Sequence, residues 1–245
     1  MDTVSTDPCE PKRCDVLGVG VDACRDVKEA ALALHARGGG QIVTLNAEMT
    51  MSALADASLG AAFAAADLVI PDGAGVVWAL ARQGIRVPRS PGIELAWSLL
   101  QHAELQQWTV ALVGASPQAM GRLQVRLQRD LPSLRLVLAE HGFQPVDAWP
   151  DLESRLLALN PDLVLVALGV PRQETWAQRL HRGQPGLWMG VGGSFDVWAG
   201  LKQRAPRWMG QLRLEWLYRL IQEPTRWRRM LALPAFALAV LRRRR

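Results

Sequence analysis

The chain of 245 residues alternates short apolar runs with helix-like segments. Six apolar runs have the length and composition of buried strands, at residues 41–46, 67–71, 108–114, 135–139, 162–169 and 187–193. Helical patterns follow several of them, at residues 48–66, 74–83, 117–130 and 173–182. Near-continuous apolar strands that alternate with helices are typical of a parallel sheet covered on both faces. The pattern therefore predicts an α/β fold, a Rossmann-like parallel sheet flanked by helices.

Charge is divided unevenly along the chain. From residue 201 onward, twelve Lys or Arg face two Glu, a net charge of +10, whereas residues 1–200 hold 16 bases and 21 acids, a net charge of −5. We therefore predict a flexible leader at 1–12, an α/β core at 13–200 and a basic, Trp-rich helical C-terminal appendage at 201–245. Such a segment is typical of contact with an anionic surface or an anionic ligand.

Three further features indicate where the protein works. Cys9, Cys14 and Cys24 are an odd number without metal-ligand spacing, which favours reduced cytosolic thiols. No signal-peptide pattern opens the chain. The apolar run at 230–241 contains Pro234 and is shorter than the roughly 20 residues that a spanning helix needs, so it is expected to lie on a bilayer. These features predict a cytoplasmic protein, peripheral on the inner face of the cell membrane.

Polar residues close several predicted strands, and ligands of parallel sheets bind beyond the carboxyl ends of strands. Thr44 and Asn46 end the first strand, and Asp72 ends the second. The glycines that follow Asp72, at 73 and 75, would let a ligand approach the backbone. Gln173 follows the turn after the fifth strand. The alternative readings are a plain turn residue for Asp72 and a solvated helix-start position for Gln173.

Gly114 and Ser116 form the turn between the third strand and its helix. Free backbone N–H groups and the helix dipole favour a phosphate at such a turn. The alternative is an ordinary helix start, since Ser116 suits the N-cap and Pro117 the first helical position.

Three arginines of the basic segment, Arg219, Arg226 and Arg229, fall on one face if the helix continues through Pro224. The alternative is a solvated basic helix whose Trp side packs inward. The chain has no Asp-x-Asp motif and its four His are scattered, so we predict no catalytic metal and no cofactor. Arginine would then neutralise any bound diphosphate.

Two other functional classes compete with a membrane-associated transferase. The sequence pI of about 9.7 would suit a non-catalytic nucleotide or nucleic-acid binding module. However, the positive charge lies in an apolar, Trp-rich segment that fits a bilayer interface better, so nucleic acid is not an expected partner. A nicotinamide-dependent enzyme would need a glycine fingerprint and a following acidic residue that the chain lacks.

An ordered set of motifs resembles the WecG/TagA/CpsF family of bacterial glycosyltransferases, glycosyltransferase family 26. In chain order the matching segments are TLNAE (44–48), ADLVIPDG (66–73), RSPGIE (89–94), VGAS (113–116), GVPRQE (169–174), VGGSFD (191–196), RAP (204–206) and EWLYR (215–219). The family often has Arg-Val-x-Gly-x-Asp where this chain has RSPGIE. Because Arg86 lies three residues before Arg89, either arginine could enter the site.

The resemblance implies an inverting transferase that moves a sugar from a UDP-sugar to a polyprenyl-diphosphate-linked saccharide in cell-surface polysaccharide biosynthesis. It implies Asp72 as the general base and substrate contacts from Thr44, Asn46, Arg89 and Gln173. The basic residues of the appendage, Arg219, Arg226 and Arg229, would stabilise the leaving UDP. The donor stays open among N-acetylmannosamine, N-acetylmannosaminuronic acid, glucuronic acid and glucose types. A homo-oligomer is also plausible from the resemblance.

Overall fold

The structure, a computed structural model, describes residues 11–206, 209 and 215–243, without the side chains of residues 215, 219 and 226. Six strands form one parallel sheet in the order β4-β3-β8-β7-β5-β6, and β1 and β2 form a separate antiparallel hairpin. This confirms the predicted parallel α/β sheet. The strands are β1 (Lys12–Val16), β2 (Val19–Ala23), β3 (Gly40–Leu45), β4 (Leu68–Pro71), β5 (Thr109–Gly114), β6 (Arg135–Glu140), β7 (Leu163–Ala167) and β8 (Leu187–Gly190).

Helices cover both faces of the sheet. They are α1 (Val27–Ala36), α2 (Ala47–Ala55), α3 (Ala57–Ala65), α4 (Ala74–Arg82), α5 (Gly92–Leu105), α6 (Pro117–Asp130), α7 (Trp149–Leu159), α8 (Arg172–Leu180), α9 (Ser194–Trp198), α10 (Glu215–Gln222), α11 (Trp227–Met230) and α12 (Ala232–Arg242). Short 3-10 turns precede α7 at Val146–Ala148 and α11 at Pro224–Arg226.

The core is divided by the alternation of side chains along each strand. On β7, Leu163 and Leu165 face the core beneath α1, α5 and α6, whereas Val164 and Val166 face α7 and α8. The other internal strands alternate in the same way, because successive side chains of a strand point to opposite faces. Both faces are therefore apolar, which explains the near-continuous apolar runs in the sequence.

Two predicted boundaries were wrong. The helix expected at 48–66 is two helices, because Asp56 takes an extended conformation and its carboxylate accepts hydrogen bonds from the N–H groups of Ser58 and Leu59. Lys12, assigned to the leader, is the first residue of β1. Residues 1–10, including Cys9, lie outside the described part. Cys14 and Cys24 are buried free thiols, and burial raises the pKa of Cys24 to about 11.

The last helix, α12, belongs to the packed body of the protein. It lies against α2 and α4, and its Phe236 and Val240 are buried in the core with residues of β3 and β4. Helical structure in the basic segment continues through Pro224 only as a 3-10 turn. No helix among the described residues has both the length and the apolar character needed to span a membrane.

Candidate active site

A polar cleft of about 210 Å³ lies at the carboxyl ends of β3, β4, β7 and β8. The strand order places these four ends side by side, so loops far apart in sequence converge there. Residues from the C-terminal segment cover the opposite side. The lining residues of the cleft include Thr44, Asn46, Glu48, Asp72, Arg89, Gly169, Gln173, Gly192, Lys202, Arg204, Glu223 and Arg229.

Asp72, at the end of β4, lines this cleft and is partly buried. Its backbone N–H donates to the carbonyl of Leu45 at 3.0 Å, which ties the ends of β4 and β3 together. Its Oδ1 accepts a hydrogen bond of 3.2 Å from the backbone N–H of Gly92, the first residue of α5. The helix start thus orients the carboxylate within the cleft.

Arg89, rather than Arg86, reaches the cleft. Its Nε donates to the backbone carbonyl of Asp72 at 2.8 Å, whereas the exposed Arg86 is not among the lining residues. Ser90 donates its backbone N–H to the carbonyl of Pro71, so the segment before α5 lies against the end of β4. That contact fixes a guanidinium next to the carboxylate-bearing residue.

Thr44 and Asn46 both line the cleft, but Asn46 also has a structural contact. The Oδ1 of Asn46 caps α2 by accepting from the N–H of Met49 at 3.0 Å. The glycines after Asp72 give room to the protein itself: a Cβ on Gly73 would lie 2.9 Å from Cβ of Asn46. A Cβ on Gly75 would lie 3.4 Å from the ring of Phe236. Their predicted use for ligand approach is therefore not what the packing shows.

Gln173 is 2% exposed, so the solvated alternative is wrong. Its Oε1 accepts from the backbone N–H of Gly169 at 3.2 Å and from that of Gly192 at 3.1 Å. Its Nε2 donates to Oε1 of Glu174 at 2.7 Å. One side chain thereby joins the loop after β7 to the loop after β8 on the cleft wall.

Glu174 is also only 2% exposed, and its Oε2 has no hydrogen-bond partner among the described residues. Burial raises the pKa of its carboxyl group to about 7. Gln41 of β3 donates from Nε2 to the backbone carbonyl of Glu174 at 2.9 Å, and its own Oε1 is likewise without a donor in the described part of the chain. In the sequence, only its place in the first helical turn distinguishes this acid.

The structure does not bring Gly114 and Ser116 to the cleft lining. Ser116 caps α6, with its Oγ accepting from the N–H of Ala119 at 3.1 Å, and Pro117 is the first residue of the helix. Gly114 has φ +123° and lies against the carbonyl of Ala167. These contacts fit the alternative reading, an ordinary capped helix after a strand.

The C-terminal segment contributes cations to the cleft. Arg229 lies 3.7 Å from Glu48, and Lys202 pairs with Glu223 at 2.7 Å and with Asp196 at 3.0 Å. Burial lowers the pKa of Lys202, but its hydrogen bonds to these two acids outweigh that effect and raise it overall. Arg204 pairs with Glu94 of α5. The side chains of Arg219 and Arg226 lie outside the described part.

Sequence reasoning missed several of these site residues. Lys202 and Arg204 were counted only as part of the tail charge, although RAP (204–206) is a motif of the resemblance. Glu174 stands in another such motif, GVPRQE, but no role in the site was predicted for it. A buried acid in the first turn of a helix has no local signature, because burial depends on what packs above it.

A second and larger cavity, of about 670 Å³, lies between the β1–β2 turn, α4 and α12. Its lining is mostly apolar and includes Leu17, Ala79 and Val240, and an ion pair between Asp15 and Arg243 joins its two sides. It is remote from the carboxyl ends of the parallel strands and holds none of the predicted site residues.

Comparison with known proteins assigns the chain to one family. A model described as the glycosyl transferase WecG/TagA/CpsF family matches residues 14–245. A protein of Bacillus spizizenii named N-acetylglucosaminyldiphosphoundecaprenol N-acetyl-beta-D-mannosaminyltransferase is 35% identical over 209 residues, which are 84% of this chain and 80% of that protein. A Bacillus subtilis protein of the same name is 34% identical over 206 residues, 83% and 80% of the two chains.

Proposed function

The chain belongs to the WecG/TagA/CpsF family of glycosyltransferases, and from that premise we propose that it transfers an N-acetylmannosamine-type sugar from a UDP-sugar to N-acetylglucosaminyl-diphospho-undecaprenol. The acceptor and the transferred sugar are those in the names of the two Bacillus relatives. The observation that carries the proposal is the cleft itself, where the family motifs at Thr44, Asp72, Arg89 and Gln173 meet at the ends of four parallel strands.

Asp72 is the proposed general base. In an inverting transfer the acceptor hydroxyl oxygen bonds to the anomeric carbon, the bond from that carbon to UDP breaks with its electron pair leaving on the diphosphate, and the hydroxyl proton passes to a base. A carboxylate can accept that proton if it is held within hydrogen-bond reach. The N–H of Gly92 holds one oxygen of Asp72 in place, which orients the carboxylate within the cleft where the acceptor hydroxyl is proposed to bind.

Arginines of the cleft are the proposed stabilisers of the leaving diphosphate. Guanidinium groups bind phosphate oxygens through paired, charge-assisted hydrogen bonds, which gain strength as negative charge develops. Arg89 and Arg229 both line the cleft, and Arg219 and Arg226 are proposed to join them. The ion pair between Arg229 and Glu48 would give way to the diphosphate, since a dianion attracts the guanidinium more strongly than one carboxylate does.

The C-terminal segment is proposed to contact the anionic membrane that holds the acceptor. Exposed apolar residues, among them Trp216, Ile221, Trp227 and Leu231, stand beside arginines in that segment. Each Lys or Arg near an anionic leaflet contributes about 1 kcal/mol of attraction. The cleft of about 210 Å³ is below the roughly 300–1,000 Å³ of typical ligand sites, so we infer that the covering segment shifts when substrates bind.

Asp72→Asn tests the base directly. Purified protein, EDTA, a panel of UDP-sugars and a short polyprenyl-diphosphate-GlcNAc analogue would be combined, and product formation followed by chromatography. We expect transfer from one donor, and a rate roughly 10²–10⁴-fold lower in Asp72→Asn. The fold should be unchanged, because the amide oxygen of Asn can still accept the hydrogen bond from Gly92.

The matched control is Asp147→Asn, which removes an exposed carboxylate outside the cleft and should leave the rate unchanged. Equal rates in wild type and Asp72→Asn would discard Asp72 as the base while keeping the transferase. A wild-type protein that binds UDP and yet transfers none of the sugars to this acceptor would contradict the proposed acceptor.

A further inference from the structure

The strongest unexplained feature of the site is a buried acid that has no cation beside it among the described residues. Glu174 is 2% exposed and accepts one hydrogen bond, from Nε2 of Gln173. The elements packed most closely on α8 are α3, β3, β7 and β8, and none of the four contains a charged residue. On α8 itself, Arg172 stacks over Trp149 and Arg179 pairs with Glu153.

Three buried polar atoms in this region have no hydrogen-bond partner among the described residues: two are acceptors, and the third is the indole donor Nε1 of Trp188, which is the register partner of Gln41 on β8. Oε2 of Glu174 and Oε1 of Gln41 are both buried acceptors without a donor among the described residues. The two residues are neighbours, since Nε2 of Gln41 donates to the backbone carbonyl of Glu174. A proton on Oε2 of Glu174 converts one of the two orphaned acceptors into a donor, whereas an ionised carboxylate leaves both unsatisfied.

Both unsatisfied acceptors, Oε2 of Glu174 and Oε1 of Gln41, are buried from solvent. A Cβ on Gly190 of β8 would lie 2.6 Å from Nε2 of Gln173 and 3.0 Å from Oε1 of Glu174. The side-chain pair thus lies directly on the strand. Because Oε2 is buried, hydration of an ionised Glu174 would require the side-chain pair to shift, and such a shift would disturb the hydrogen bonds of Gln173 to the N–H groups of Gly169 and Gly192.

We propose that Glu174 is a positioning residue that acts as a neutral carboxylic acid, holding Gln173 so that the loops after β7 and β8 keep the shape of the cleft. This inference rests on the proposed function, because it assigns a task within that transfer site. It adds a specific role to the acid of the GVPRQE motif. Loss of the proton would leave a buried charge without a cation among the described residues, and movement of that charge toward water would displace Gln173 and with it the wall of the cleft.

The transfer rate as a function of pH distinguishes this role from a merely structural one. In the wild type we expect the rate to fall about tenfold per pH unit above pH 7, the range in which the carboxyl group of Glu174 ionises. Glu174→Gln carries a neutral amide of the same shape, with an oxygen for Gln173 and N–H donors in place of the proton. It should keep the wild-type rate at pH 6 and hold that rate to pH 9.

Two further variants complete the test. Glu29→Gln changes an exposed acid at the same position of another helix, the third residue of α1, and should keep the wild-type profile. Glu174→Ala should be slower at every pH, because Gln173 loses its partner. Transfer with parallel profiles in wild type and Glu174→Gln would overturn the role of Glu174 alone. Absence of transfer in the wild type would instead remove the proposed function on which it depends.

Discussion

Asp22→Asn should destabilise the protein far more than mutation of an exposed ion pair, because the side chain of Asp22 binds a backbone group at the edge of the sheet. β4 is an edge strand of the sheet. Oδ2 of Asp22 accepts the N–H of Val69 in β4 at 2.7 Å, and the paired Arg13 donates from Nη2 to the carbonyl of Ala66 at 3.0 Å. Together the two side chains satisfy backbone groups that a neighbouring strand would otherwise bind.

The magnitude follows from the partners that an amide would lose. Asp22 is 3% exposed and receives Nε of Arg13 at 2.8 Å, Nη2 at 2.7 Å and the N–H of Val69. Whichever way Asn is oriented, its NH₂ group faces at least one of these donors. Breaking a buried pair costs about 3–5 kcal/mol. Because the side chain of Arg13 is 38% exposed and can regain water, we expect a loss of about 2–4 kcal/mol in the free energy of unfolding.

Urea unfolding followed by circular dichroism measures this loss as a lower midpoint at constant slope. The matched control is Asp130→Asn, since Asp130 also accepts from two arginine side chains, Arg126 and Arg129, but stands on the surface. Exposed pairs contribute little, so the control midpoint should not move. If Asp22→Asn shifted the midpoint no further than Asp130→Asn, the conclusion that Asp22 and Arg13 stabilise the edge of β4 would be refuted.

Two other predictions concern the wall of the cleft. Between pH 4.5 and about 7 the unfolded chain releases the proton of Glu174 while the folded chain retains it. The free energy of unfolding of the wild type should therefore fall by about 3 kcal/mol over this range. Glu174→Gln should remove that contribution, which urea unfolding at pH 5 and 8 would measure. Gly190→Ala should lower the free energy of unfolding by about 1–3 kcal/mol and slow the transfer, because its Cβ would overlap Gln173. The control Gly121→Ala, with open space in α6, should be neutral or stabilising. Equal effects of the two substitutions would contradict the tight contact at Gly190.

The strands of the sheet could be predicted because their side chains are apolar on both faces. Residues 162–169 show this well: every residue of β7 is buried, so the sequence pattern needs no knowledge of neighbours. The β1–β2 hairpin was not predicted, since Lys12, Arg13 and Asp15 interrupt any apolar pattern. Its stability depends on the pairing of Arg13 with Asp22 and on contacts to β4, which no local window of sequence contains.

In the candidate site, too, some residues could be predicted from the sequence and others depend on tertiary packing. Asn46 is the last residue of the first predicted strand and Asp72 follows the second, so the rule for carboxyl ends of parallel strands was enough to find them. The same rule selected Ser116, but β5 is separated from β3 by β7 and β8 and its end does not line the cleft. Strand order decides which ends meet, and the order follows from tertiary packing rather than from the sequence of any one segment.

The C-terminal segment is held to the core by two kinds of contact with different strengths. Phe236 and Val240 of α12 bury apolar surface, and burial of side chains of this size stabilises by about 1.5–3 kcal/mol each. The contacts over the cleft are ion pairs such as Arg204 with Glu94 and Arg229 with Glu48, whose side chains are 33–58% exposed. Exposed ion pairs contribute little to stability. The segment is therefore anchored at α12, whereas its described contacts beside the cleft are weak, so it can shift there when substrates enter.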